Sequence, residues 1–194
     1  MPPDTSSLRP AALGLRTHSG WAVVVAVAAS GGAPDVILRR KIEIADRRIA
    51  GSVQPYHTME GWTLPRAEEF LERCRQASLA LARGAVEALL REAAQRGYRV
   101  VRAGLLLSSG RPTGSLADTL ASHAKIHTAE GEFYRDSLRQ ACEACKVPVK
   151  GLIERTLPVD DSIRAAVNAL AKTLGPPWRQ DEKLATLAAW LALR

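Results

Sequence analysis

Apolar and polar positions predict a hairpin near the start of the chain. The run WAVVVAVAA at 21–29 is continuous, apolar and rich in β-branched residues, which is typical of a buried strand. The segment VILRRKIEI at 36–44 alternates between apolar and charged residues, as a strand with one solvated face does. The glycine-rich turn SGGAPD lies between them. The two strands are therefore expected to pair antiparallel.

A helical period replaces this alternation in most of the remaining chain. Residues 66–97 form an amphipathic pattern that predicts one long helix, ended by Gly97. LADTLAS begins a second helical stretch, and apolar runs at 98–109 and 147–155 predict two more strands. Three more helices are predicted at about 129–146, 161–174 and 179–194.

The element order is therefore ββ-αβαβα plus a C-terminal helix, which predicts an α/β fold whose later strands run parallel. We expect a single domain over 11–194 and a disordered tail over 1–10, where no period is present. The segment 45–65 also lacks a clean period and contains glycines and prolines. A loop of this length inside a compact domain is usually functional or flexible.

Composition and charge narrow the classes of function. The formal net charge is +7 and arginine dominates the basic set, which is compatible with nucleic acid as a partner, although the basic residues are spread along the chain. No apolar run is long enough for a membrane span and no signal peptide opens the chain, so a cytoplasmic location is expected. The pair Cys142 and Cys145 has redox or zinc spacing, but two small apolar residues on one helix face explain it more simply.

The densest group of titratable residues is SHAKIHTAEGEFYR at 122–135. His123, His127 and Glu130 stand at i, i+4 and i+7, so on one continuous helix they would share a face and could ligate a divalent metal (Mg, Mn or Zn). Thr128 is also a plausible N-cap, and a helix that starts there would exclude His123 and break the set. In that case the stretch is a polar helix start.

A local echo links this stretch to the long loop. HTMEG at 57–61 and HTAEG at 127–131 both place a histidine and a glutamate before a glycine. If the two segments converge, they form a pocket in which histidine acts as general base or metal ligand. The predicted catalytic residues are His57, Glu60, His127, Glu130 and Asp181.

Two segments resemble the bacterial Holliday-junction resolvases, which have a ribonuclease H-like fold. LGLRTHSGWAVVVAVA at 13–28 resembles their first strand and turn, and RQDEKLATLAAWLAL at 179–193 resembles their closing helix. The resemblance implies carboxylates that hold two divalent metals, which activate water and stabilise the leaving oxygen. Here the first-strand acid is replaced by Arg16, the second acid falls at Ser108 and Ser109, and only Asp181 keeps a carboxylate. The resemblance thus supports the fold and argues against the usual metal-dependent cleavage.

Several residues near these segments are predicted to bind an anionic or aromatic substrate. Arg16 would hold a phosphate or carboxylate, and Arg135 would either assist the histidine–glutamate pocket or pair with a neighbouring acid. Trp178, which follows two prolines, is expected to pack a corner between helices, with stacking on a base as the alternative. The predicted substrate-binding set is Arg16, His18, Arg135, Trp62 and Lys183.

Three classes of function follow. The chain is a nucleic-acid-binding or nuclease-related protein with a non-standard acidic site, or a hydrolase with a His/Glu/Arg pocket acting on a phosphodiester or another anionic substrate. The third class is a non-catalytic interaction module in which the polar cluster is only a buried network.

Overall fold

One mixed sheet of five strands forms the centre of the molecule. A computed structural model describes residues 8–108 and 114–194. The strands lie in the order β3-β2-β1-β4-β5, with β1 antiparallel to β2, β2 antiparallel to β3, and β4 parallel to both β1 and β5. Their bounds are β1 Arg9–His18, β2 Trp21–Ser30, β3 Ala33–Glu43, β4 Tyr98–Leu107 and β5 Val149–Ile153.

The periodic pattern misses strand β1, so three strands rather than two precede the first long helix. The segment Arg9–His18 carries alanine, leucine and glycine, without the β-branched run that marks β2. Its position between β2 and β4 explains why it is extended, since both edges of the strand are hydrogen-bonded. Arg9 and Pro10 of the predicted tail belong to this strand, and residues 1–7 lie outside the described part.

The helices confirm the predicted order of helices and strands, although several of them begin or end at other residues than predicted. The segment 45–65 includes a one-turn helix, the predicted helix 161–174 divides in two, and the helix predicted from about 129 begins earlier. Their bounds are α1 Pro55–Thr58, α2 Leu64–Gln95, α3 Leu116–Leu120, α4 His123–Ala144, α5 Asp161–Ala169, α6 Ala171–Leu174 and α7 Gln180–Leu193. None of the helices in the described ranges has the length and apolar character that a membrane crossing requires.

Two helical layers cover the two faces of the sheet. Leu13 and Leu15 of β1 pack with α2 and α4, whereas Ala12 packs with α5 and α7. Because side chains alternate along a strand, the even-numbered residues of β1 face the α7 layer. Arg16 and His18 therefore belong to that layer.

Helix α7 lies directly on the middle of the sheet. A Cβ atom added at Gly14 of β1 would collide with the carbonyl oxygen of Ala185, and one added at Gly104 of β4 with that of Ala188. The face of α7 that meets the strands is itself rich in buried alanine. Glycine on the strands and alanine on the helix allow the two backbones to approach closely.

Candidate functional site

Helix α4 is continuous through the stretch of dense titratable residues. It begins at His123, after Ser122, and ends at Ala144. The predicted start at Thr128 is wrong, because the Thr128 hydroxyl donates to the carbonyl of Ala124 one turn earlier, at 3.2 Å, inside the helix. His123, His127 and Glu130 therefore share one helix face.

Glu130 fixes the position of the one-turn helix α1. Glu130 is buried, with 3% of its surface exposed. Oε2 accepts the backbone N–H groups of Tyr56 at 3.2 Å and His57 at 3.4 Å, and lies 2.9 Å from His57 Nδ1. A helix of one turn is not stable alone. Glu130 thus acts as a cap supplied by another helix, favoured by the positive end of the α1 dipole.

Tyr134, one turn beyond Glu130 on α4, anchors the chain just before α1. Its side chain is fully buried. The hydroxyl donates to the carbonyls of Ser52 and Val53, the latter at 3.2 Å. Burial raises the pKa of this phenol well above its usual value, so it remains a donor at all ordinary pH values. Glu130 and Tyr134 together hold the loop against α4.

His57, His123 and His127 meet on the surface above Glu130, and we call them the histidine cluster. The ring centroids of His57 and His127 are 4.7 Å apart, and those of His123 and His127 are 4.6 Å apart. The Nε2 atoms of His123 and His127 are separated by 3.1 Å. The two segments of the sequence echo therefore converge.

Two carboxylates lie behind the histidine cluster. Glu60, from the same loop as His57, places Oε1 3.1 Å from His123 Nδ1. Burial raises the pKa of Glu130, against the opposing effect of the hydrogen bonds from His57. Its Oε1 is buried and has no hydrogen-bond partner in the described ranges. Within residues 8–108 and 114–194, the three imidazoles form a group that could hold a metal ion, with both glutamates as their outer partners.

A second group, which we call the Arg16 cluster, consists of Arg16, His18, Glu154 and Asp181. The Arg16 guanidinium forms a bidentate pair with Glu154, at 3.2 Å from Nε and 3.1 Å from Nη2. Its Nη1 contacts Asp181 and lies 3.2 Å from His18 Nε2. His18 also stacks on Trp21, with ring centroids 4.1 Å apart. One arginine therefore lies between two carboxylates and a histidine.

These residues do not fit the paired divalent metals that the resemblance implies. A guanidinium cannot ligate a metal, and here its single positive charge is shared between the carboxylates of Glu154 and Asp181. The second expected acid falls at Ser108, while Ser109 lies outside the described residues. Glu154 is the member of this cluster that sequence reasoning does not identify, because it lies within the predicted strand 147–155, near its end. Its position just after β5, at the carboxyl end of a parallel strand, is the signal that identifies it.

The structure separates the predicted His/Glu/Arg pocket into two groups. Arg16 and His18 face the α7 layer, where Asp181 begins that helix. The histidine cluster lies on α1 and α4, whose core residues belong to the opposite layer. No hydrogen bond or ion pair connects the two clusters within 8–108 and 114–194. The alternation of β1, which the sequence pattern did not reveal, causes this separation.

The other predicted substrate-binding residues lie in local contacts. Arg135 folds over Gly131 and pairs with Glu132 at 2.7 Å, which is the pairing alternative. Trp62 packs on Phe70 at 5.2 Å, with the guanidinium of a neighbouring arginine 3.8 Å above its ring. Lys183 is half-buried on α7, two positions after Asp181.

Trp178 and the cysteine pair have structural roles. The Trp178 indole donates to the carbonyl of Val167 at 2.9 Å and packs in the α7 layer, as predicted for a corner between helices. Cys142 is buried, and burial raises the pKa of its thiol to about 12. Burial also raises the pKa of Cys145. Thiols of this kind are poor nucleophiles, which agrees with the apolar interpretation of the pair.

The pKa of His18 is expected to lie below the usual histidine value of about 6.5. Burial, and then the charge of Arg16, lower the pKa of His18, against the opposing carboxylate of Glu154. The unfolded chain therefore binds more protons between the lowered pKa and 6.5, and stability rises with pH across that window. A protonated imidazole quenches a stacked indole, here that of Trp21. Tryptophan fluorescence should therefore fall as the pH is lowered, with a midpoint below about pH 6.5. The variant His18→Gln should lose this step, and a step that persists in it would assign the titration elsewhere.

Comparisons with known proteins agree with the fold. Neither the models of protein families nor the curated proteins gave a match to this sequence. Among solved structures, RuvC from Thermus thermophilus matches with 11% identity and a TM-score of 0.50, over 92% of this chain and 90% of RuvC. The T. thermophilus RuvC in complex with Holliday junction substrate matches equally, over 93% and 90%. The order of the strands, the two helical layers and this likeness together show that the chain has the ribonuclease H-like fold.

Proposed function

We propose that this chain is a nucleic-acid-binding protein that does not use the paired-metal chemistry of the resolvases it resembles. The Arg16 cluster is the observation that carries the proposal. A guanidinium stands where the resemblance expects the first acid, and it pairs with both nearby carboxylates. The fold and the net charge of +7 favour a polyanionic partner. The described residues of the Arg16 cluster offer no open pair of carboxylates for two metals, since both are paired with Arg16.

Basic and aromatic side chains around the Arg16 cluster support this proposal. Val23 of β2 pairs with Arg16 on one side and Lys41 on the other, so both cations project from the same face of the sheet. Lys41 is 57% exposed, and its Nζ lies 4.3 Å from the centroid of the Trp21 ring. A groove of about 260 Å³ beside Lys41 runs towards the start of α7. Lys183, a predicted substrate-binding residue, lies half-buried on that helix two positions after Asp181.

Salt-dependent binding to structured DNA tests the proposal. Fluorescence anisotropy with a labelled four-way junction and a matched duplex should show binding that weakens steeply between about 50 and 200 mM salt, since released counterions drive such binding. The double variant Lys41→Gln/Lys183→Gln should lower the slope by about 2, at about 1 per phosphate contact. The matched control is Arg83→Gln, on the exposed side of α2, which should leave the slope unchanged. Absence of binding at low salt would refute the proposal.

A hydrolase is the second candidate, and the histidine cluster is the observation that favours it. Three imidazoles converge at the surface with carboxylates behind two of them. Such a group can activate water for attack on a phosphodiester. Turnover of an activated phosphodiester that His127→Ala abolishes and His18→Ala leaves intact would support it. Turnover that follows His18 instead would exclude the histidine cluster as the active site.

A further inference from the structure

We propose that the histidine cluster is a zinc site in which His57, His123 and His127 each supply one imidazole nitrogen and the fourth position is open to water. The site lies in the α1/α4 layer, on the opposite side of the sheet from the Arg16 cluster. The inference therefore stands whether or not the chain binds nucleic acid. It would supply the metal for the hydrolase alternative, but it does not depend on that activity.

The spacing of the nitrogens fits one tetrahedral ion. One ring nitrogen from each histidine lies within 4.8 Å of the other two. The Nε2 atoms of His123 and His127 are 3.1 Å apart. Two nitrogens bound to zinc at about 2.0–2.1 Å in tetrahedral geometry are separated by about 3.3 Å. The i and i+4 positions on α4 thus already have the separation of two ligands, and His57 faces them from α1.

The outer partners point the right nitrogens inward. Glu130 Oε2 accepts two backbone N–H groups and so acts as an ionised oxygen with no proton to donate. The Nδ1 of His57 must therefore be the donor of their contact, which leaves the Nε2 lone pair of His57 free. Glu60 Oε1 likewise accepts from His123 Nδ1, at 3.1 Å, which leaves the Nε2 of His123 free. A carboxylate behind a ligating histidine is the usual arrangement in metal sites, because it fixes the tautomer and the orientation of the ring.

Charge and ligand type favour zinc over the hard cations. Mg²⁺ and Ca²⁺ take oxygen ligands, whereas three imidazoles suit Zn²⁺. Three protein ligands and an open position are typical of a zinc site that binds water rather than a closed structural one. Glu60 and Glu130 carry the two negative charges that would balance the ion. Both histidines of α4 are exposed, so an ion has direct access.

Zinc titration of the full-length protein without a histidine tag tests the site. Calorimetry should give one Zn²⁺ per chain, and Co²⁺ should show the visible absorption of a four-coordinate ion. Each of His57→Ala, His123→Ala and His127→Ala should weaken zinc binding by more than about 100-fold, since even an outer partner contributes about 10–100-fold. Glu60→Gln should weaken zinc binding by about 10-fold. His123 is 68% exposed, so its variant is expected to fold.

The fourth histidine of the chain provides a matched control. His18 lies in the Arg16 cluster, so His18→Ala should bind zinc as the parent protein does. The double variant Cys142→Ala/Cys145→Ala should also retain binding, because Cys142 is buried away from the cluster. A stoichiometry of zero, equal loss in His18→Ala and His123→Ala, or loss on removing the cysteines would each overturn the proposal.

Discussion

Gly14→Ala is expected to destabilise the protein by at least about 3 kcal/mol, the upper end of the usual cost of overpacking. The new methyl group would meet the carbonyl oxygen and carbon of Ala185 and the backbone nitrogen of Ala189. These are main-chain atoms of a helix, so they cannot move aside as a flexible side chain does. Relief requires α7 to move away from the centre of the sheet. Thermal unfolding should show a midpoint lower by about 10 °C for a chain of this size.

Gly84→Ala is the matched control for this substitution. Gly84 lies within α2, and a Cβ added there meets nothing within 4 Å. Alanine is favoured over glycine in a helix by about 1 kcal/mol, so this variant should be slightly more stable than the parent protein. If Gly14→Ala unfolds at the same temperature as Gly84→Ala, the close contact between α7 and β1 is not present in solution.

Arg16→Asp is expected to convert the Arg16 cluster from a closed ion pair into an acidic site that needs a divalent cation. The substitution removes the guanidinium that pairs with Glu154 and Asp181 and adds a third carboxylate beside them. Without metal, the free energy of unfolding of the variant should fall by about 2–3 kcal/mol. This is less than the usual cost of about 3–5 kcal/mol for breaking a buried pair, because Glu154 is 36% exposed. Millimolar Mn²⁺ or Mg²⁺ should raise its unfolding temperature, because a ligand that binds the folded state stabilises it.

Arg16→Gln separates the two parts of this effect. It removes the positive charge without adding an acid, so it should lose less stability and gain little from Mn²⁺. The parent protein should not respond to Mn²⁺ at this site, since Glu154 and Asp181 are both already paired with Arg16. The comparison is made with His127→Ala in all three proteins, so that the histidine cluster does not contribute. Equal responses to Mn²⁺ would then show that Arg16 does not control the charge of the site.

The elements with a strong period were predictable from the sequence, and those shaped by their neighbours were not. Helix α2 and strands β2 and β3 have a clear apolar pattern, and the structure has each of them close to the predicted bounds. Strand β1 has no such pattern, because its residues are extended by pairing with β2 and β4 rather than by their own preference.

The candidate site shows the same division. The echo of HTMEG and HTAEG correctly indicated that His57 and His127 lie close together. The observed start of α4 differs from the predicted one, because a threonine followed by acidic residues resembles a helix cap even when it lies inside a helix. Glu154, the remaining partner of Arg16, could not be identified from the chain, since it is 138 residues away and is brought to Arg16 only by the sheet.

Because Glu130 caps α1, the histidine cluster combines residues from two helices of unequal stability. His123 and His127 belong to a helix of 22 residues, whereas His57 belongs to a helix of four residues that depends on contacts from outside. Local unfolding of α1 would withdraw His57 and leave the other two imidazoles in place. Anything that binds all three histidines must therefore also select the folded form of this segment, so occupancy of the cluster and order in the loop are thermodynamically linked.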